Sequence, residues 1–97
     1  MRDQICDAIS KNRILEFDYR NQPRVVEPHL LGKSSKGNIN LSAYQIGGRG
    51  NDIAVPDWGL YTLDKISNLR IAQETFTGTR PGYDGTDSRM VKIYCKL

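Results

Sequence analysis

Ninety-seven residues, 38% of them hydrophobic, make one modest core and leave no material for a second folding unit, since a chain of this size buries only about 60 to 70% of its unfolded surface. Fourteen Lys and Arg against eleven Asp and Glu give a net charge of +3, which tilts the choice of partner toward anions without demanding one. The apolar content is that of ordinary globular material and favours a folded chain over a disordered one, and no run approaches the roughly 18 apolar residues that a membrane-spanning helix needs.

The N-terminal stretch from Met1 to Cys6 carries Arg2 and Asp3 and no apolar signal core, so a cytoplasmic protein with no membrane partner is expected. Cys6 and Cys95 stand at opposite ends of the chain with no second pair and no histidine cluster beside them. Neither a disulfide framework nor a zinc site is suggested, and both thiols are expected to be reduced and structural.

Taken in chain order, Ile5, Ala8 and Ile9 recur at helical spacing, which predicts a short amphipathic helix over Asp3 to Lys11. Ile14, Leu15, Phe17 and Tyr19 then alternate with Glu16 and Asp18 as a first strand. Asn21, Gln22 and Pro23 read as a turn, and Arg24 to Leu31 as a second strand that Pro28 confines to an edge or a bulge. Gly32 to Asn38 is a turn segment, and Ile39 to Ile46 completes a hairpin. Gly47 to Asp57 reads as a mobile surface loop. Trp58 to Ile66 with Leu69 to Ile71 form one long last strand, bent at Ser67 and Asn68, and Met90 to Tyr94 can add a terminal strand. One helix followed by four or five closely spaced strands predicts a mainly β fold, a small barrel with the helix over one open end.

The strings Phe17-Asp18-Tyr19, Arg24-Val25-Val26-Glu27-Pro28-His29-Leu30-Leu31, Ala43-Tyr44 and Tyr61-Thr62-Leu63-Asp64-Lys65-Ile66 follow one another in an order and spacing that resembles the WYL domain family. The resemblance covers roughly residues 4 to 76. It implies a short helix ahead of an Sm-like, SH3-type β-barrel over residues 1–76, with 77–97 as a C-terminal extension that packs on the barrel or on a partner. It also implies a ligand-sensing module of bacterial transcription regulation or phage defence that binds nucleic acid or nucleotides through basic barrel residues. Ile39-Asn40-Leu41 stands where the family has its name-giving triplet, and Thr62 where it has a basic residue, whereas Lys65 keeps the second basic position. With few residues ahead of the helix, a DNA-reading head of its own is not expected.

Five residues are the candidate site. Arg24 offers a guanidinium fork matched to phosphate, against the competing account of a solvated strand residue. His29 is the single histidine, more simply a strand-locking side chain bonded to backbone than a ligand contact. Tyr19, Tyr44 and Tyr61 lie on three predicted strands, where rings more often pack than stack on bases; Tyr44, just before Gly47-Gly48-Arg49-Gly50, is the best placed for a ligand. Arg49 could add charge to that glycine-rich loop, which has the spacing of no phosphate-binding fingerprint, and Lys65 could complete a basic rim. Trp58 is expected to close the barrel core, and Asp64 to cap the turn near Ser67.

No pair of carboxylates and no nucleophile with its base stands out, so catalysis is not expected and no cofactor is called for. The expected function is binding of nucleic acid, single-stranded in preference, or of a nucleotide-like anion. The alternative is a protein-interaction or homodimerisation module that uses the barrel edge and the segment from Gly78 to Leu97.

Overall fold

The computed structural model describes residues 1–48 and 56–97. In chain order the elements are α1 (Arg2–Ser10), β1 (Arg13–Tyr19), β2 (Gln22–Ser34), β3 (Ile39–Gly48), β4 (Asp57–Thr62), a 3-10 turn (Leu63–Lys65), β5 (Ile66–Thr75) and β6 (Met90–Lys96). The strands form one six-stranded sheet in the order β4-β3-β2-β1-β5, with β6 paired to β2, and every pairing is antiparallel. The fold is therefore mainly β and barrel-like with one short N-terminal helix, as the strand spacing predicts. Among the described residues no helix is long and apolar enough to cross a membrane.

The periodicity of the helix sets its packing. Ile5, Ala8 and Ile9 are buried, and with Leu15, Phe17, Val26, Leu31 and Leu41 they make a single core between α1 and the sheet. Asn12 leaves the helix at φ 53°, a left-handed conformation that Asn tolerates better than most residues, and turns the chain into β1.

The turn between β1 and β2 is Arg20-Asn21, not Asn21 to Pro23. Both residues have positive φ, 53° and 60°, and Tyr19 pairs with Gln22, which is the tight two-residue hairpin whose twist matches its strands. Pro23 lies within β2, opposite Asp18.

β2 is the central strand, and of the two places expected for Pro28 it takes the bulge rather than the edge. β2 pairs with β1 from Gln22 to Val26 and with β6 from Leu30 to Ser34, while β3 runs along its other side. Pro28 falls where the partner changes from β1 to β6 and beside a register shift against β3, so its missing N–H interrupts neither ladder.

The stretch from Trp58 to Ile71 is two strands rather than one bent strand. The 3-10 turn at Leu63–Lys65 separates β4, at one edge beside β3, from β5, at the other edge beside β1. No Gly or Pro marks that break. Asn68, at φ 54°, sits in β5 where the register against β1 shifts. Asp64 is exposed in the turn.

The ends of the chain meet. β6 pairs with β2 of the same chain, the Leu97 N–H donates to the His29 carbonyl at 2.8 Å, and Cys6 of α1 is bonded to Cys95 of β6 with their Cα atoms 5.7 Å apart. The expectation of two reduced thiols fails, because 89 residues of separation hide a contact that exists only once β6 has joined β2 beside the helix. Gly32 permits this approach, since a Cβ there would lie 2.6 Å from the Lys92 carbonyl oxygen.

Candidate anion-binding site

Four strands bring a polar cluster to the inner face at one end of the barrel. Arg24, near the start of β2, is opposite Phe17, and its neighbours are Tyr19 at the end of β1 and Tyr61 on β4, whose hydroxyl is held by Gln45 on β3. Residues opposite one another in antiparallel strands share a face, so Arg24 is turned inward with Phe17 although it is charged. It is 4% exposed. Its Nη2 donates to the Tyr19 carbonyl oxygen at 3.2 Å and its Cζ is 5.8 Å from the centre of the Tyr19 ring.

The tyrosines are fixed by packing and hydrogen bonds together. Tyr61 meets Phe17 and Tyr19 edge to face, with ring centres 5.0 and 5.1 Å apart. Its hydroxyl donates to Gln45 Oε1 at 3.2 Å, Gln45 Nε2 donates to the Gly47 carbonyl at 3.0 Å, and the Tyr19 hydroxyl accepts the Thr62 N–H at 3.1 Å. Burial pushes the Tyr61 phenol above its ordinary value of 10.0, opposed by the Arg24 charge, so it stays a neutral hydroxyl at neutral pH. Gly59 makes room for this ring, because a Cβ there would lie 2.6 Å from the Tyr61 hydroxyl.

The electrostatics of Arg24 set the cluster apart. Among the described residues no carboxylate forms an ion pair with it, and its Nε is buried without a hydrogen-bond partner. Burying a charge without a counter-charge costs several kcal/mol, and the Tyr19 carbonyl, the Tyr19 ring and the Tyr61 hydroxyl beside the guanidinium offset part of that.

The other predicted residues are not gathered here. His29 and Tyr44 belong to the outer face, in an aromatic cluster with Trp58, Phe76 and Tyr83. His29 is fully buried: its Nδ1–H donates to the Glu27 carbonyl at 2.8 Å and its Nε2 accepts the Arg80 N–H at 3.1 Å. Both ring nitrogens are used, which fixes the neutral tautomer, and burial lowers its pKa below 6.5. Tyr44 has the Arg80 guanidinium 4.9 Å from its ring centre. Arg80 in turn makes a two-bond ion pair with buried Glu27 at 2.7 and 2.9 Å. Trp58 is half-buried on this outer face rather than in the barrel core, and its indole N–H donates to the Pro81 carbonyl at 2.9 Å.

Lys65 is exposed in the 3-10 turn, next to Ile66, which pairs with Tyr19. Chain adjacency thus puts it at the Arg24 end. Arg49 lies outside the described residues, as do residues 49–55 of the loop expected from Gly47 to Asp57, whereas Gly47 and Gly48 belong to β3. Two contributors were not singled out from the sequence. Arg20, in the hairpin turn, places its Cζ 5.8 Å from the Tyr19 ring centre, and Gln45 holds the Tyr61 hydroxyl. The Arg20-Asn21 pair between two alternating runs was the available cue for the first; nothing marks Gln45 apart from other strand amides.

A groove of about 580 Å³ lies elsewhere, between the outer face at Leu30, Ser42 and Leu60 and the segment from Pro81 to Arg89, and it includes none of Arg24, Tyr19 and Tyr61. Among the described residues no group of three or more His, Cys, Asp or Glu side chains is placed to hold a metal ion. No protein-family model, curated protein or solved structure matches the chain.

Proposed function

We propose that this chain is a ligand-binding module of WYL type that takes the phosphate of a nucleic acid, single-stranded in preference, or of a nucleotide-like anion at the barrel end built from Arg24, Tyr19 and Tyr61. The observation that carries the reading is the buried Arg24 guanidinium, which has no carboxylate partner among the described residues and an Nε with no hydrogen bond. Arg20 and Lys65, both exposed near Tyr19, supply the outer charge that attracts a polyanion. The mechanism is capture and positioning without chemistry on the ligand, in keeping with a sensing role in bacterial regulation or phage defence.

Cytoplasmic residence belongs to this proposal, and the Cys6–Cys95 bond pulls against it, since reducing compartments keep most such pairs as thiols. Alkylation of the protein in freshly lysed cells distinguishes the two: modified cysteines support the cytoplasm, protected ones an oxidising compartment.

The test of function is fluorescence anisotropy of a labelled single-stranded oligonucleotide at low and at physiological salt. Binding that weakens steeply with salt and is competed by free nucleotide supports the reading; no binding at low salt overturns it. The exposed apolar residues Val91 and Ile93 of β6, 68% and 38% accessible, favour the second reading, a dimerisation module. A light-scattering mass of twice the chain supports that reading, and a monomer removes it.

A further inference from the structure

We infer that β6 and the start of α1 build a second, separate basic surface, made of Arg2, Lys33 and Lys92 around Tyr94, that binds the phosphodiester backbone of a nucleic acid. Strand register makes the case first. Lys33 of β2 and Lys92 of β6 are directly opposite in an antiparallel pair, and both are exposed. Like charges in that position share a face at close range and destabilise a sheet, where an opposite or neutral residue would favour it. The third cation joins them through an aromatic ring: Arg2 lies with its Cζ 4.4 Å from the centre of Tyr94, and the Lys92 Nζ is 5.4 Å from the same centre.

Charge balance gives the second argument. Among the described residues none of these three cations forms an ion pair, although four other Lys or Arg residues do. Tyr94 holds two of them against mutual repulsion, and the β2–β6 pairing holds the third. Close-set cations with no protein counter-charge are the arrangement that a phosphate backbone neutralises, each contact releasing condensed counterions. The surface owes nothing to Arg24, which lies at the opposite end of β2, where that strand pairs with β1.

The two roles of Lys92 make opposite predictions for one substitution. Lys92→Glu places a carboxylate opposite Lys33, so the melting temperature rises, while oligonucleotide affinity falls and the slope of log affinity against log salt shrinks by about one or more. Lys92→Gln and Arg2→Gln, each measured separately, lower the slope by about one each without a new ion pair. All variants are made on the full chain, with binding of a labelled oligonucleotide and of vesicles containing phosphatidylserine as the readouts. Unchanged oligonucleotide affinity and slope in Lys92→Glu overturn the inference, as does binding of the vesicles alone. Failure of the Arg24 reading is recorded independently, because Arg24→Met tests binding of a free nucleotide, which is too small to depend on the β6 surface.

Discussion

Protonation of His29 is expected to loosen the outer face of the barrel. The neutral ring accepts the Arg80 N–H at Nε2 and donates from Nδ1 to the Glu27 carbonyl, while Trp58, Phe76 and Tyr83 enclose it. A proton on Nε2 turns the acceptor into a donor, leaves the Arg80 N–H without its partner and adds a cation beside the Arg80 guanidinium. An unsatisfied buried donor costs about 1 to 3 kcal/mol. Burial lowers the folded-state pKa below the unfolded value of 6.5, so the unfolded chain takes up the proton first as the pH falls. Stability is therefore complete above that value and declines below it. In a domain of this size each kcal/mol moves the melting temperature by roughly 4 to 8 °C. Thermal unfolding, followed by the fluorescence of Trp58, the chain's one tryptophan, between about pH 7.5 and pH 5 checks this, with His29→Gln as the non-titrating control. A melting temperature that stays level or rises toward pH 5 in the parent protein refutes the reasoning, and so does a fall of equal size in His29→Gln.

Three further outcomes follow from the packing. Gly59→Ala pushes a methyl into the Tyr61 ring, where the neighbouring atoms lie at 2.6 to 2.8 Å, and is expected to cost about 1 to 3 kcal/mol in urea unfolding. Reducing the Cys6–Cys95 bond frees a loop spanning 89 residues and lowers stability by roughly 4 to 5 kcal/mol on the chain-entropy estimate, read as a drop in denaturation midpoint with added dithiothreitol. Glu27→Gln removes the charge from the two-bond pair with Arg80 and is expected to speed amide exchange across 77–97, with the core of β1 and β3 unaffected.

The local elements were legible because their signals are local. The helical spacing of Ile5, Ala8 and Ile9 and the alternation through Leu15, Phe17 and Tyr19 reappear as buried faces. The errors arose where partners are far apart in sequence. Pro28 reads as a residue of an edge or a bulge, and only β6, some sixty residues later, decides for a bulge in a central strand. Cys6 and Cys95 read as unrelated for the same reason. At the site, Arg24 could be picked for its chemistry, but its inward side depends on its register with Phe17. His29, five residues beyond Arg24 on β2, and Tyr44, beside inward-facing Gln45 on β3, face outward by the alternation of their strands, which depends on the same placement.

The central claim is that Arg24 is held inside the barrel for an anion, and Arg24→Met tests it most directly. Methionine fills similar space without charge. The account predicts a fold as stable as the parent's or more so, since a buried cation with no carboxylate partner among the described residues is gone. It also predicts nucleotide affinity at least tenfold weaker in calorimetric titration, about 1.4 kcal/mol. A variant that binds nucleotide as the parent does, or one that loses stability as if a needed ion pair had been cut, contradicts the account.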